Sequence, residues 1–163
     1  MNVNNIIESI MPKSDFFFDS SALIAGIVSA QGAARALLLL AEDEKILITL
    51  SEQVIVEVER NIARKAPKAL PFARQLILAT NLRIVRDPQL EQVQTHLDWI
   101  AHPADVPILV AAVQARVDFL VTFNTRHFLD DPRVPQRSGL RIGTPGDALG
   151  WVRNQLSKKE NAG

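Results

Sequence analysis

The chain has 163 residues, a length typical of a single domain. Its composition, 47% hydrophobic and 22% charged, is that of a globular protein and argues against disorder or a fibrous repeat. The 18 basic and 18 acidic side chains cancel, so any contact with nucleic acid must be local rather than driven by overall charge. The absence of cysteine excludes disulfides, thiol catalysis and zinc–thiolate sites.

The sequence contains no recognisable targeting or membrane segment. Residues 1–13 have neither the charged start nor the long apolar core of a secretory signal. The longest apolar stretch, Ala36–Ala41, is far shorter than the roughly 18 residues that suggest a membrane span. We therefore expect a cytoplasmic protein with no membrane partner.

Short apolar runs alternate along the chain with segments of helical periodicity. The predicted strands are Phe16–Phe18, Ile46–Thr49, Leu82–Val85, Phe119–Thr122 and Leu140–Ile142. The predicted helices begin at Ala22, Ala33, Ser51, Leu70, Leu90, Val106 and Thr144, and a polar loop is expected over 123–139. This alternation predicts an α/β fold whose mostly parallel sheet is covered on both faces.

In such a sheet, ligands bind beyond the carboxyl ends of the strands, and polar residues accumulate there in this chain. Asp19 directly follows the first strand, where it either caps a helix or keeps its carboxylate free for function. Asp105 precedes the apolar helix that leads into the fourth strand, and capping is again an alternative. Asn124 and His127 follow the fourth strand.

Glu57 is the third candidate carboxylate. It lies three residues after Val54 on the helical stripe that also carries Val58 and Ile62, which is the stripe expected to face the core. A glutamate at the edge of such a stripe is costly unless it is paired, hydrogen-bonded or bound to a cation. A boundary residue whose head group reaches solvent is the alternative.

Three carboxylates at one crevice repel each other unless a divalent cation lies between them. Ligation by oxygen alone suits Mg²⁺ or Mn²⁺, and such a site activates water and stabilises the leaving oxygen of a phosphodiester. The sequence contains no phosphate-binding loop, nucleophile elbow or dinucleotide-binding fingerprint that would indicate different chemistry.

These residues together resemble the PIN-domain ribonucleases, particularly the small bacterial members that are toxins of toxin–antitoxin pairs. The matching segments run in order from 15 to 156: Phe18–Ile24, Ser51 with Glu57, Asp105 before its apolar helix, Asp118–Thr122 followed by Asn124 and Phe128, and Thr144-Pro145. The resemblance implies a three-layer α/β/α sandwich over residues 15–156, after an N-terminal extension (1–14) and before a frayed tail (157–163).

The resemblance also implies metal-dependent cleavage of RNA. It places Asp19, Glu57 and Asp105 as the family's first three acids, which would bind Mg²⁺ or Mn²⁺. A fourth acid usually follows the last core strand, and this chain has Asn124 and His127 at the corresponding positions. Asn124 is expected to complete the catalytic set through its neutral amide oxygen, and His127 is the alternative.

The leading hypothesis is a Mg²⁺- or Mn²⁺-dependent endoribonuclease that is the toxin of a toxin–antitoxin pair. Because the fourth acid is absent, a PIN-fold module that binds RNA or protein without cleaving is the alternative, and an unrelated α/β protein with capping aspartates is a third. Candidate partners are RNA, a small antitoxin protein and a second copy of the chain, which the apolar helix over Ala33–Ala41 would face.

Five basic side chains outside this set are also considered. Arg126, Arg35 and Lys65 are candidates for phosphate contact, with a solvated surface charge as the better interpretation of each. His96 and His102 have no partner at ligand spacing and are assigned structural roles.

Overall fold

The computed structural model describes residues 2–162 and, within the first helix, the backbone alone at residues 4 and 7–9. The described residues form one five-stranded sheet in the order β3-β2-β1-β4-β5, with every neighbouring pair parallel. The strands are β1 (Asp15–Phe18), β2 (Leu47–Ser51), β3 (Arg83–Val85), β4 (Phe119–Val121) and β5 (Arg141–Gly143). The predicted α/β fold with a parallel sheet is confirmed.

The helices form two groups. They are α1 (Val3–Ile10), α2 (Ser20–Val28), α3 (Ala33–Glu42), α4 (Glu52–Lys65), α5 (Leu70–Ala79), α6 (Leu90–Gln94), α7 (Val106–Gln114), α8 (Thr125–Phe128), α9 (Arg133–Ser138) and α10 (Pro145–Asn161). Helix α2 packs against α3 and α4, and α10 packs against α3, whereas α7 packs against α6 and α9. Right-handed crossovers in a parallel sheet place these two groups on opposite faces, which gives the three-layer sandwich.

The centre of the sheet is β1, whose three phenylalanines, Phe16, Phe17 and Phe18, are completely buried. Because successive side chains of a strand point to opposite faces, complete burial of all three requires helices on both sides of the sheet. This continuous apolar run fixes β1 in the middle of the sheet, and the polar residue that follows it is therefore held at a rigid position.

The apolar composition of α3 is explained by the core of this chain. Its side chains at 34, 37, 38 and 41 are buried, and Leu39 is 50% exposed. Contact of its exposed side with a partner or a second copy of the chain stays a prediction. Within residues 2–162 no single helix is long and apolar enough to cross a membrane, although α2 and α3 reach that length together with a bend of 88°.

One sequence expectation about a polar segment is corrected. The predicted loop over 123–139 contains α8 and α9, because Phe128 and Val134 are buried and anchor these short helices to the core. Gly139, at φ 69°, ends α9 in the left-handed conformation that glycine adopts at little cost.

The chain termini also depart from expectation. Helix α10 continues to Asn161, where a frayed tail from Ser157 was predicted, and Lys159 Nζ donates a 3.2 Å hydrogen bond to the carbonyl of Pro12. Helix α1 lies within the predicted extension over 1–14, while Met1 and Gly163 fall outside the described residues.

The amino edge of the sheet is held by a partly buried polar network. Arg83 donates to Asp15 Oδ2 at 2.7 Å, to Thr49 Oγ1 at 2.9 Å and to the carbonyl of Ala115 at 2.9 Å. Thr49 donates in turn to Asp15 Oδ1 at 2.7 Å, and Asp118 Oδ2 accepts from the backbone amide of Asp15 at 2.8 Å. The network ties the first four strands together, and it places Asp118 at the edge of the sheet away from the predicted site.

Replacing Arg83 by methionine should destabilise the fold by about 1–3 kcal/mol at neutral pH, because it leaves the buried Asp15 carboxylate without its cation. Burial already raises the pKa of Asp15, and losing Arg83 raises it further. The destabilisation should therefore shrink as the pH falls and Asp15 becomes protonated. Urea denaturation at neutral and acidic pH measures both effects.

The matched control is Arg74→Met, because Arg74 forms an exposed ion pair with Glu59 at 2.9 Å. This variant should change stability by no more than about 0.5 kcal/mol at either pH. Equal effects of the two substitutions at neutral pH would contradict the role given to Arg83.

Candidate active site

Asp19 occupies the junction between the central strand β1 and helix α2. Its backbone amide continues the sheet by donating to the carbonyl of Val121 at 3.1 Å. Its Oδ1 accepts from the amide of Ala22 at 2.9 Å and from Ser21 Oγ at 2.6 Å, and its Oδ2 accepts from Thr122 Oγ1. Asp19 thus caps helix α2, and Ser21 donates a hydrogen bond to the capping carboxylate.

Asp19 is 7% exposed, and its carboxyl group is harder to ionise than one in water. Burial raises its pKa, and the hydrogen bonds from Ser21, Thr122 and the Ala22 amide oppose that rise only in part. The charge of Asp105 raises the pKa of Asp19 as well. The structure therefore brings these two predicted acids within range of mutual repulsion.

Asp105 reaches Asp19 through a continuous series of hydrogen bonds. His127 Nδ1 lies 2.6 Å from Asp105 Oδ2 and 2.8 Å from Asn124 Nδ2, and the Asn124 backbone amide donates to Thr122 Oγ1 at 2.8 Å. An ionised carboxylate only accepts hydrogen bonds, so His127 carries a proton on Nδ1 and donates a hydrogen bond to Asp105. Because Nδ1–H is a donor, the side-chain amide of Asn124 can accept from it only when its oxygen, rather than its nitrogen, faces the ring.

The capping alternative for Asp105 is not borne out, since its side chain makes no capping hydrogen bond to α7. Its Oδ2 is engaged by His127, and Oδ1 has no partner among residues 2–162. The half-buried His127 therefore fixes the orientation of the carboxylate while leaving one oxygen available. Sequence reasoning named His127 only as an alternative to Asn124, and the structure places both in the same network.

Glu57 is connected to this network indirectly. Gln53 Nε2 donates to Glu57 Oε1 at 2.9 Å and to the carbonyl of Ala104, the residue before Asp105, at 3.4 Å. Glu57 itself is partly exposed. Across the described part of the chain, no three histidine, aspartate or glutamate side chains are grouped closely enough to hold a metal ion. Ligation of one cation by all three acids stays a prediction.

Ser51 adds a polar atom that the sequence did not assign to the site. It was expected to cap α4, but its side chain makes no capping hydrogen bond, and Oγ is buried with no partner in the described structure. The register pairs Phe17 with Thr49, so Ser51 stands beside Asp19 at the carboxyl edge, as Thr122 does on the other side. A buried hydroxyl without a partner is expected to bind a water or a ligand.

Carboxylate and hydroxyl oxygens are the type of ligand that a hard divalent cation prefers. Both lone pairs of Asp19 Oδ1 are engaged and Oδ2 retains one, while Asp105 Oδ1 accepts no hydrogen bond from residues 2–162. Mg²⁺ typically uses one or two carboxylates and completes its octahedron with water and substrate phosphate. Asp19 and Asp105 can supply the two carboxylates, and the Ser51 hydroxyl can hold a water.

The remaining basic candidates divide into three kinds. Arg35 donates to the carbonyls of Gly26, Ile27 and Ser29, so it caps the end of α2 and is not available for phosphate. Lys65 is exposed at the end of α4, which supports its interpretation as a solvated surface charge. His96 packs edge-on against Trp99 at 4.2 Å, which supports its structural role. Arg126 and His102 instead line a cleft together with His127. His102 is therefore placed where it can contact a ligand, which its predicted structural role did not include.

The fold and the acids at its carboxyl edge define a class of α/β proteins with a polar site beyond a parallel sheet. The model of the PIN domain matches residues 15–126, more than half of the chain. The chain therefore belongs to the PIN domain family. No curated protein matches the sequence significantly.

Solved structures of low sequence identity share the fold. A chain of the DNA-bound VapBC complex from Salmonella typhimurium is 19% identical, with a TM-score of 0.60 and coverage of 81% of this chain and 98% of that chain. VapBC2 from Rickettsia felis, bound to a promoter DNA fragment, is 18% identical, with a TM-score of 0.58 and coverage of 80% of this chain and 98% of that chain. The sarcin–ricin loop cleaving toxin VapC20 from Mycobacterium tuberculosis is 14% identical, with a TM-score of 0.52 and coverage of 68% of this chain and 90% of that chain.

The raised pKa of Asp19 predicts how Asp19→Asn changes stability with pH. Between its unfolded value of 3.8 and its higher folded value, the folded state binds more protons, so wild-type stability falls as pH rises. The variant has no such cost, and its new amide nitrogen can donate to Thr122 Oγ1. Its melting temperature near neutral pH should exceed that of the wild type by a few degrees, with the difference vanishing below pH 3.8.

Asp131→Asn is the control, because Arg133 lowers the pKa of Asp131. This replacement should leave stability unchanged or reduce it at neutral pH. A melting temperature of Asp19→Asn that stays below the wild type at every pH would show that the capping hydrogen bonds, and not ionisation, dominate at Asp19.

Proposed function

We propose that the protein is a divalent-metal-dependent endoribonuclease that hydrolyses RNA phosphodiesters. The observation that carries this proposal is the pair of acids, Asp19 and Asp105, held at the carboxyl edge by one hydrogen-bonded series through Thr122, Asn124 and His127. Placing two repelling carboxylates together is costly, and a cation between them offsets that cost.

Each member of the series has a defined task in this proposal. Asp19 and Asp105 bind the cation through their available oxygens, and Thr122 and His127 keep those oxygens oriented. When bound, the cation neutralises charge on the phosphate and activates a water for attack on phosphorus. Asn124 contributes a neutral amide and no charge, so a second cation would depend on the substrate phosphate.

Glu57 is proposed as the third acid of the same site, with Mg²⁺ or Mn²⁺ as the cation. Its Oε1 is held by Gln53, whose other hydrogen bond reaches the residue before Asp105. This arrangement supports a role through water or through movement of the side chain, because the glutamate does not lie with the two aspartates in one group.

RNA as the substrate and toxin as the role draw support from the family and its relatives. One solved relative is described as a sarcin–ricin loop cleaving toxin, and two others are VapBC complexes bound to DNA. By analogy, a small antitoxin protein is the proposed partner, and a homodimer is the proposed assembly. A small protein encoded beside this chain, copurifying with it and blocking cleavage, is the expected antitoxin.

A binding module of the PIN fold that does not cleave RNA is the second candidate. The observation in its favour is that no group of three acidic or histidine side chains suited to a metal occurs in residues 2–162. RNA binding in the presence of metal, without any cleavage, would favour this alternative.

The proposal predicts cleavage of RNA with Mn²⁺ or Mg²⁺ and none with excess EDTA, because the acids alone cannot neutralise the phosphate. Asp105→Asn should reduce the rate by about 100-fold or more, since it removes a ligand charge. Glu57→Gln should reduce it less if Glu57 acts through water. Rates on one labelled RNA, measured against metal concentration, test all three.

Glu59→Gln is the matched control, because Glu59 lies two residues along the same helix and pairs with Arg74 at the surface. Its rate should equal that of the wild type. Cleavage that persists in EDTA, or that is unaffected by Asp105→Asn, would overturn the proposed mechanism.

A further inference from the structure

A cleft of about 560 Å³ opens beside Asp105, between the turn at 101–102 and the segment that joins α8 to α9. Its lining includes His102, Arg126, His127 and the pair Asp131 and Arg133. His127 belongs to both features, since its Nδ1 donates to Asp105 while its ring lines the cleft. An occupant of the cleft therefore contacts the same histidine that orients the carboxylate of Asp105.

Two imidazole rings form a flat aromatic surface in this cleft. The rings of His102 and His127 are stacked with centroids 3.4 Å apart and planes 12° apart. His127 is held by Asp105 and Asn124, so it gives the pair a fixed orientation, and His102 is the exposed member. Stacking on aromatic side chains is the principal way in which proteins bind the bases of single-stranded RNA.

The charges of the cleft favour one phosphate rather than a long polyanion. Asp131 neutralises Arg133 through hydrogen bonds of 2.9 and 3.0 Å. Arg126 is exposed and makes no ion pair or hydrogen bond through its side chain in the part of the chain described, and the carboxylate of Asp130 at the rim offsets its charge. The cleft thus has one available guanidinium beside a flat stack, with no net positive charge to attract nucleic acid in general.

We propose that this cleft binds a single nucleotide of the RNA substrate, adjacent to the bond that is cleaved. The base stacks on His102, and its phosphate accepts hydrogen bonds from Arg126. This inference rests on the proposed function, since it assigns the position of the substrate relative to Asp105. It adds a base-binding position to a site whose two acids, when they hold a cation, would contact the phosphate backbone.

A short single-stranded RNA carrying 2-aminopurine tests the proposal, because the fluorescence of this base is quenched when it stacks. Binding is measured with the full chain in EDTA, so that no cleavage occurs and the metal site is not involved. Wild-type protein should quench the fluorescence on binding. His102→Ala should abolish the quenching and weaken binding about tenfold, and His102→Phe should restore both by replacing the flat ring.

Arg126→Ala should weaken binding and reduce the dependence of affinity on salt by about one phosphate contact, and Arg126→Lys should retain that dependence. The matched controls are His96→Ala, which removes an imidazole outside the cleft, and Arg74→Ala, which removes an exposed arginine on α5. Both should behave as wild type.

The outcomes separate this inference from the proposed function. RNA cleavage by the wild type together with equal quenching by His102→Ala and His96→Ala would overturn the cleft as a base-binding position and leave the nuclease intact. Quenching that depends on His102, without cleavage under any metal, would support the cleft and contradict the nuclease. No quenching by the wild type would overturn the cleft, and an accompanying lack of cleavage would contradict both.

Discussion

The hydrogen bond from Thr122 to Asp19 joins the two strands on which the candidate site depends. It links the carboxyl ends of β1 and β4, and through the amide of Asn124 it extends to His127 and Asp105. Asp19 can be buried here because three fixed donors hydrogen-bond to its carboxylate, and Oδ2 keeps one lone pair available for a ligand. The remaining cost of its negative charge comes first from burial and then from the nearby carboxylate of Asp105, and a bound cation would offset both.

Each edge of the sheet has a buried carboxylate, and the two carboxylates serve different purposes. At the amino edge, Asp15 is matched by Arg83 and Thr49, so its charge is balanced within the chain. At the carboxyl edge, no arginine or lysine pairs with Asp19 within residues 2–162, and its nearby charge is the carboxylate of Asp105. The first arrangement stabilises the fold, and the second keeps negative charge available for a ligand. This contrast is the physical reason for assigning the site to the carboxyl edge.

Much of the fold was predictable from the sequence because apolar runs such as Phe16–Phe18 define buried parallel strands directly. The position of Asp19 followed from where β1 ends, and that of Asp105 from its place before the apolar helix that leads into β4, but their hydrogen-bond partners did not. Thr122 and His127 reach them only through the register of β1 with β4 and through α8, a helix whose polar sequence indicates a loop. The stack of His102 on His127 has no signal in the sequence, because it depends on two segments that meet only in the folded chain.

The central claim is that Asp19 and Asp105 together bind a divalent cation. Calorimetric titration of the metal-free protein with Mn²⁺, in the absence of RNA, tests it most directly. The wild type and Asp43→Asn, which alters an exposed carboxylate at the end of α3, should bind the ion equally, and Asp19→Asn and Asp105→Asn should each bind it about tenfold more weakly or worse. Equal affinity of all four proteins would contradict the claim.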